Sequence, residues 1–478
     1  MQPTGTTEGL AGPGRSVNRF AVLALASAAM FMTVVDLTIV NVSLPTMAVR
    51  LGLGEDALQW VVIGYGLPFG GLLLLAGRLG DIWGRRRVLR AGLVVFTAAS
   101  LAAGFADGSV VLIVARAVQG IGAALIAPSA LAVVADTFPE EKQRNNALGI
   151  YGALGGAAAS VGVLGGGILT DGPGWRWIFF VNIPIGVTLV AATYLLLRDN
   201  RIAHPGGSFD PRSALSVTGA LVLGLYALNS GVVHGWASAT TLSTAAAAVL
   251  LLAVFAGSEL RTRIPLVPRS LRENRPLIMA NLSTASGFGS FYGFIFLTTL
   301  LMQQELGYSP TRTGVAWLLT SITAFAFAGL TGAVLVPKFG ARPLLALASL
   351  LMIASASWLM AVPAHPDFAL RLLPALLAAG VAVGLFAPSV QIATLADTAA
   401  TDFGAASGLM ETAREFGGAT VIAATSTVLL SSHTDFLHGV HGGYLAIAIA
   451  ATAGVIAASI RFRSTAGEVT TTVTVPVG

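Results

Sequence analysis

The sequence contains no cysteine and few charged residues. Asp, Glu, Lys and Arg together make up only 10% of its 478 residues. The absence of thiols excludes disulfides, thiolate metal ligands and cysteine nucleophiles. A soluble globular protein carries about 25% charged residues, and this chain instead is 55% hydrophobic. Such a composition indicates that lipid, and not water, surrounds most of the chain.

Long apolar runs repeat along the whole length, which predicts an all-α polytopic membrane protein. A helix needs about 20 apolar residues to cross the hydrocarbon layer. Read this way, the sequence predicts 14 transmembrane helices. The predicted spans are 19–45, 57–77, 88–106, 109–135, 144–170, 176–197, 213–233, 239–259, 276–304, 313–336, 343–362, 370–395, 403–430 and 442–461.

The basic residues predict the orientation of these spans. With both termini in the cytoplasm, most of the 27 Lys and Arg residues fall in inside segments, whereas only Arg50, Arg176, Arg312 and Arg371 fall outside. This distribution follows the positive-inside rule for a multi-pass protein of the cytoplasmic membrane. It also explains the basic pI without a nucleic-acid partner. No signal peptide is recognisable at the start of the chain.

Three pairs of segments resemble each other at nearly the same offset, which predicts an internal repeat. The pairs are 77–89 with 333–345, 120–136 with 380–397, and 145–156 with 404–415. Parallel repeats with a substrate path between them are a transporter architecture. The predicted divisions are a disordered cytoplasmic tail (1–18), an N-terminal six-helix half (19–198), two extra helices with linkers (199–260), a C-terminal six-helix half (261–463) and a cytoplasmic tail (464–478).

Four stretches carry a resemblance to a known family. They are VDLTIVNVSLP (35–45), GRLGDIWGRRRVL (77–89), LIVARAVQGIGAA (112–124) and GWRWIFFVNIPIG (174–186). The chain resembles the major facilitator superfamily, specifically its fourteen-helix drug:proton antiporter branch, over nearly its whole length. The resemblance implies two six-helix halves, two extra central helices and transport by alternating access.

The fifth span departs from the pattern of that branch. Antiporters of the branch normally have Gly-Pro, two further residues and Gly-Gly at this position. Here the stretch is VGVLGG, in which Gly165 and Gly166 remain and Val161-Gly162 replaces the Gly-Pro pair. Gly162, Gly165 and Gly166 still permit close helix packing. The loss of proline weakens the prediction of antiport, but not that of transport.

The loop 77–90 predicts a cytoplasmic latch. Gly80 and Gly84 let the chain turn tightly, and Asp81 can accept hydrogen bonds from Arg85 or cap a neighbouring helix. Gly77, Asp81, Gly84 and Arg85 are the residues that match the loop signature of the family. A simple positive-inside anchor is the alternative for the arginines. The family resemblance implies in addition that Asp81 takes part in a contact that breaks when the cytoplasmic side opens.

Asp36 and Arg116 are candidates for proton coupling. Both are predicted in the outer half of their spans at similar depth, where pairing would relieve the cost of burial. One interpretation is a structural ion pair within the N-terminal half. The other is that protonation of Asp36, or the arrival of substrate, changes this pairing during transport.

The stretch LMETAREFGG (409–418) places Glu411, Arg414 and Glu415 inside the thirteenth span. Their spacing of three and four residues puts them on adjoining parts of one helix face. A self-neutralising Glu–Arg pair with one leftover carboxylate is the structural interpretation. The functional hypothesis is that Arg414 is structural and that Glu411, together with Glu415, is a proton or cation site.

Phe288, Phe291, Tyr292, Phe294 and Phe296 make the ninth span rich in aromatic residues. Contact with lipid is one explanation. The other is that these rings line a drug cavity, where they could bind a cationic drug.

The sequence therefore predicts a proton-driven exporter of amphipathic drugs or antibiotics that acts as a monomer without cofactor or metal. It has no GxxxxGK[ST] sequence for ATP and no catalytic set of residues within the spans, so it is not expected to be an enzyme. Two alternatives stay open. One is a symporter or uniporter for a metabolite, and the other is a lipid-handling membrane protein on the same fold.

Overall fold

The computed structural model describes residues 18–197, 210–262, 264–363, 367–431 and 436–460, and their secondary structure is helical. The predicted tails 1–18 and 464–478 lie outside the described residues, except for Asn18. The Asn18 side chain caps the first helix by accepting hydrogen bonds from the backbone N–H groups of Phe20 and Ala21.

Fourteen long helices follow one another along the described chain, and they are numbered here in chain order. They are α1 (Arg19–Leu51), α2 (Glu55–Trp83), α3 (Arg85–Gly104), α4 (Ser109–Thr137), α5 (Glu141–Asp171), α6 (Trp177–Leu196), α7 (Pro211–His234), α8 (Ala239–Arg261), α9 (Arg275–Glu305), α10 (Thr311–Phe339), α11 (Ala341–Leu359), α12 (Phe368–Ala396), α13 (Phe403–Ser431) and α14 (Phe436–Ser459).

Within the part of the chain that the structure describes, twelve of these helices are long and apolar enough to cross a membrane. The predicted number of 14 spans is therefore not supported. Helix α13 falls short because Glu411, Arg414 and Glu415 lie in its first half. Helices α5 and α13 are nevertheless long, at 31 and 29 residues.

Two glycines make equivalent turns in the two repeats predicted from the sequence. Gly84 separates α2 from α3 with φ of +96°, and Gly340 separates α10 from α11 with φ of +80°. A residue with a Cβ atom rarely adopts such values, so glycine permits each chain reversal within one residue. The aligned segments 77–89 and 333–345 thus have the same local geometry.

The helices of the first and last groups of six have matching neighbours. In the first group α1 packs on α5, α2 and α3 pack on α4, and α3 packs on α6. In the last group α9 packs on α13, α10 and α11 pack on α12, and α11 packs on α14. The contacts between the groups are paired in the same way, α2 against α13 and α5 against α10.

Helices α7 and α8 form a hairpin beside the contact between α2 and α13. Gln59 Nε2 of α2 donates to Asn229 Oδ1 of α7 at 3.0 Å. Trp236 Nε1, just after α7, donates to Thr427 Oγ1 of α13 at 2.9 Å. Helix α7 is therefore bonded to one helix from each group of six.

Small residues hold these helices together. Lipid is as apolar as a leucine side chain, so helix association in a membrane depends on close packing and interhelical hydrogen bonds. Gly120 lies against the backbone of Tyr65 and Phe69 in α2, and Gly122 lies against the backbone of Phe96 in α3. A Cβ atom at either glycine would force α4 away from its neighbours.

Candidate functional site

Asp36 lies at the centre of a buried polar network. This network contains the ion pair with Arg116 that was considered from the sequence. Its side chain in α1 is fully buried, and Arg116 in α4 is only 1% exposed. Arg116 Nη1 donates to Asp36 Oδ2 at 2.5 Å and to Gln119 Oε1 at 2.9 Å. The position of both residues, but not their role in coupling, can be read from this geometry.

Two amides complete the network around Asp36. Gln119 Nε2 donates to Asp36 Oδ1 at 3.1 Å and to Ser100 Oγ at 2.8 Å. Asn182 Nδ2 of α6 donates to the same Oδ1 at 2.8 Å. Asn182 was not predicted as a site residue from the sequence, although it lies in the stretch GWRWIFFVNIPIG. An uncharged polar residue within an apolar span is the signal that could have found it.

Tyr65 connects this network to α2. The Arg116 guanidinium lies 4.3 Å from the centre of the Tyr65 ring, and its Nε donates to the Val61 carbonyl at 3.3 Å. A buried charge pair is stable only if further hydrogen bonds satisfy its remaining groups, and this site provides them. Protonation of Asp36 would remove the negative charge that Arg116, Gln119 and Asn182 share.

A second charged cluster lies in α13. Arg414 Nη2 is 2.6 Å from Glu411 Oε2, and Arg414 Nε is 3.4 Å from Glu415 Oε1. The exposed fractions of these side chains are 14% for Arg414, 3% for Glu411 and 19% for Glu415. The spacing in the sequence predicted these residues on adjoining parts of one helix face, and in the structure Arg414 contacts both carboxylates. The cluster carries one uncompensated negative charge.

Aromatic side chains surround this cluster. The Phe288 ring lies 5.7 Å from the Arg414 guanidinium and packs against Phe386 and Tyr292. Tyr151 of α5 and Tyr292 of α9 lie within electrostatic range of Arg414. In contrast, Phe294 packs in the core against Trp317 and Tyr444. The aromatic residues of the ninth span thus divide, and only Phe288 and Tyr292 are placed near charge.

Asp81 bonds the end of α2 to the start of α13. Its carboxylate accepts the backbone N–H groups of Gly404 at 2.9 Å and Ala405 at 2.7 Å, which lie in the first turn of α13. Arg85 donates to Asp81 Oδ1 at 2.8 Å. An anion at a helix N-terminus is favourable because unpaired N–H groups point at it. We call this end of the molecule the latch face.

Arg85 extends the same contact. It also donates to the Ala400 carbonyl just before α13 and forms an ion pair of 2.6 Å with Asp136 at the end of α4. The guanidinium therefore bridges α2, α4 and the loop before α13. The sequence predicted the partner relation of Asp81 and Arg85, whereas the long-range partners Gly404 and Ala405 come from the fold.

Gly77 of α2 and Gly332 of α10 make close contacts between the two groups of helices. A Cβ atom at Gly77 would overlap the Gly404 carbonyl oxygen and lie 3.0 Å from Gly408 Cα. In the same way, a Cβ atom at Gly332 of α10 would lie 2.7 Å from Gly149 Cα of α5. The two contacts join helix pairs that correspond through the internal repeat, α2 with α13 and α10 with α5.

We expect Gly77→Ala to loosen the latch face, although alanine is the better helix former by about 1 kcal/mol. Overpacking typically costs about 1–3 kcal/mol, equivalent to a roughly 5- to 150-fold change in the population of the open state. Because the chain has no cysteine, Ser407→Cys supplies a single thiol in this buried contact. Its labelling by a maleimide should become faster in the Gly77→Ala variant.

Gly66→Ala on the same helix is the matched control, because a Cβ atom there has nothing within 4 Å. It should leave the labelling rate of the thiol introduced by Ser407→Cys unchanged. Equal rates in the two alanine variants would contradict a tight contact at Gly77.

The three glycines of the fifth helix differ in their surroundings. A Cβ atom at Gly162 would overlap Thr38 Oγ1 of α1, and one at Gly166 would lie 3.0 Å from the Ile39 carbonyl oxygen. At Gly165 the nearest atom would be Ile39 Cδ1 at 3.9 Å. Gly162 and Gly166 thus allow α5 to approach α1 two residues away from Asp36, while Gly165 has ordinary packing.

Comparison with known proteins identifies the family. Residues 26–422 match the sequence profile of the Major Facilitator Superfamily. The puromycin resistance protein of Streptomyces alboniger is 35% identical, over 93% of this chain and 90% of that protein. The multidrug resistance protein Stp of Mycobacterium tuberculosis is 34% identical, over 86% of this chain and 76% of that protein. The cephamycin export protein of Amycolatopsis lactamdurans is 33% identical, over 89% of this chain and 90% of that protein.

Two solved structures share the fold at low sequence identity. The human organic anion transporter MFSD10 aligns with a TM-score of 0.65 and 16% identity, over 91% of this chain and 99% of that one. The proton:xylose symporter XylE aligns with a TM-score of 0.62 and 15% identity, over 92% of this chain and 94% of that one. Because these two proteins move different solutes, the fold by itself does not determine what is carried.

Proposed function

Because the chain belongs to the Major Facilitator Superfamily, we propose that this multi-pass membrane transporter exports amphipathic drugs or antibiotics in exchange for protons. Three relatives, named for resistance or export, support the choice of substrate class. We assign the chain to the fourteen-helix branch, in which α5 and α13 complete the fourteen crossings. The helices α1–α6 and α9–α14 would be the two moving halves, close to the predicted boundaries 19–198 and 261–463.

The observation that carries the proposal is one buried carboxylate cluster in each half. Asp36 with Arg116 lies in the first, and Glu411 with Arg414 and Glu415 lies in the second. Ionisable groups are costly in a membrane and are retained there for proton or ion movement. We assign proton uptake to Asp36 and Glu411. Protonation would neutralise each carboxylate and so release it from its ion pair with Arg116 or Arg414.

The latch at Asp81 and Arg85 supports alternating access. Asp81 bonds the end of α2 to the start of α13, and Arg85 bonds the start of α3 to Ala400 just before α13. The two halves therefore cannot separate at this face without breaking charge-assisted hydrogen bonds. We place the latch face in the cytoplasm, together with both chain termini, following the positive-inside distribution. The transporter would then work as a monomer in the cytoplasmic membrane.

Phe288 and Tyr292 favour an aromatic cation as substrate. Their rings lie beside a cluster with one uncompensated negative charge, and aromatic faces attract cations. A proton and a cationic drug would compete for the same carboxylates, so that binding of one releases the other.

Transport by purified protein in liposomes tests the proposal. Ethidium or puromycin should accumulate against its gradient when a proton gradient is imposed, and an uncoupler should stop the accumulation. Solute movement in the same direction as protons would instead favour the metabolite symporter. If no compound of a broad drug panel moves while phospholipid crosses between leaflets, the lipid-handling alternative is correct.

A further inference from the structure

A cavity of about 350 Å³ opens at the latch face, within the last group of six helices and away from both charged clusters. Small-molecule sites usually have volumes of about 300–1,000 Å³ and a largely apolar lining with a few polar groups. This cavity fits that description. Its apolar wall includes Met279 of α9, Leu345 of α11 and Ala457 of α14, and its polar groups are Ser283, Arg342 and Asp397.

The internal repeat explains why the cavity exists. Asp397 at the end of α12 corresponds to Asp136 at the end of α4, and Ala341 after Gly340 corresponds to Arg85 after Gly84. In the first group Arg85 pairs with Asp136 at 2.6 Å. In the last group the methyl group of Ala341 stands in the aligned position, and the cavity lies beside it.

Asp397 consequently lacks the cation that Asp136 has. Among the described residues, no basic group forms an ion pair with its carboxylate. Asp397 is exposed, and its backbone carbonyl accepts a hydrogen bond from Asn274 Nδ2 at 3.1 Å. Arg342 also lines the cavity, but it corresponds to Arg86, so an arginine at this position occurs in both halves. The difference between the halves is therefore one missing cation beside an acidic residue.

Ser283 adds a buried polar group to the lining of the cavity. It is 1% exposed, lines the cavity, and its Oγ has no hydrogen-bond partner. A buried hydroxyl without a partner costs about 1–3 kcal/mol, so such groups in proteins normally meet a ligand, a water or another residue. The cavity thus presents both an anionic and a neutral acceptor to an entering molecule.

We propose that this cavity binds the cationic head of an amphiphile, a guanidinium or primary ammonium group on an apolar chain. The head takes the place that Arg85 holds in the other half, beside Asp397 and within reach of the Ser283 hydroxyl. The apolar chain lies along Met279 and Leu345. This site is separate from the transport clusters, and its existence does not depend on the proposed export activity.

Protection of an introduced thiol tests the site in the full-length protein. Met279→Cys places the only thiol of the chain in the cavity wall, and its labelling by N-ethylmaleimide is followed with hexylguanidinium as the probe. Hexylguanidinium should slow labelling, whereas hexylurea, which has the same shape without the charge, should not. Asp397→Asn should raise the half-protecting concentration about tenfold, as expected for a charge-assisted bond.

Two further variants complete the test. Ala341→Arg restores the guanidinium of the other half and should abolish protection, and Glu273→Gln, an exposed acid on the same face, should leave it unchanged. Equal protection by hexylurea, or an unchanged half-protecting concentration in Asp397→Asn, overturns the proposal. If Ala341→Arg does not fold, Asp397→Asn still decides the question. Protection by phosphatidylethanolamine in nanodiscs would identify a lipid amine as the source, and protection by hexylguanidinium alone a soluble cation.

Discussion

Asp36→Asn is expected to abolish proton-driven efflux and to lower the stability of the protein. The carboxylate accepts bonds from Arg116, Gln119 and Asn182, and it is the negative partner of a fully buried guanidinium. Removing one partner of a buried pair typically costs about 3–5 kcal/mol because the other charge stays uncompensated. Drug accumulation in liposomes and the thermal unfolding midpoint are the two measurements.

A neutral double variant separates coupling from folding. Asp36→Asn combined with Arg116→Gln removes both charges, so the unfolding midpoint should recover toward that of the wild type while efflux stays lost. Asp107→Asn is the matched control, because Asp107 pairs with Arg176 at 3.3 Å but is 95% exposed. Exposed pairs contribute little. Efflux with an unchanged proton dependence in the neutral double variant would exclude Asp36 as a coupling residue.

Glu411→Gln is expected to remove the pH dependence of drug binding. In the wild type, protons and a cationic drug compete, so the apparent Kd for ethidium should rise as the pH falls. The glutamine cannot take up a proton, and Arg414 would then have only the weaker contact of 3.4 Å to Glu415. Ethidium binding by the purified variant, measured between pH 5 and 8, should be weaker and nearly constant.

Glu415→Gln is the matched comparison within the same helix. Its side chain is more exposed than that of Glu411, and its contact with Arg414 is longer, so we expect a smaller change in both affinity and pH dependence. A Glu411→Gln protein that binds ethidium with the pH dependence of the wild type would leave Glu411 with a structural role only.

The two charged clusters show how far spacing along a helix can be interpreted. Glu411, Arg414 and Glu415 share one helix, so a rise of about 1.5 Å per residue and 3.6 residues per turn place them together without tertiary information. Asp36 and Arg116 lie on different helices. Their similar predicted depth made an ion pair possible, and a charge within an apolar span needs a partner. Depth alone could not show that Asn182 also bonds to Asp36.

Hydropathy was a less certain guide to the number of helices. Helix α13 falls short of the hydropathy of a membrane span because it carries Glu411, Arg414 and Glu415. Glycine at positions 77, 149, 332 and 408 lowers mean hydropathy while it permits the close approach of α2 to α13 and of α5 to α10. The residues most relevant to movement thus weaken the signal by which a span is detected.

The sequence by itself determined that lipid surrounds most of the protein, that its fold is helical and that it contains an internal repeat. It also determined that Glu411, Arg414 and Glu415 lie close together on one helix. These depend on composition and on contacts a few residues apart. Only the tertiary structure decided that Asp81 caps α13, that α7 contacts both groups of six helices, and that a cavity lies beside Asp397. Such features join residues more than a hundred positions apart, and helix packing in lipid, which depends on small residues and shape, gives no periodic signal that would reveal them.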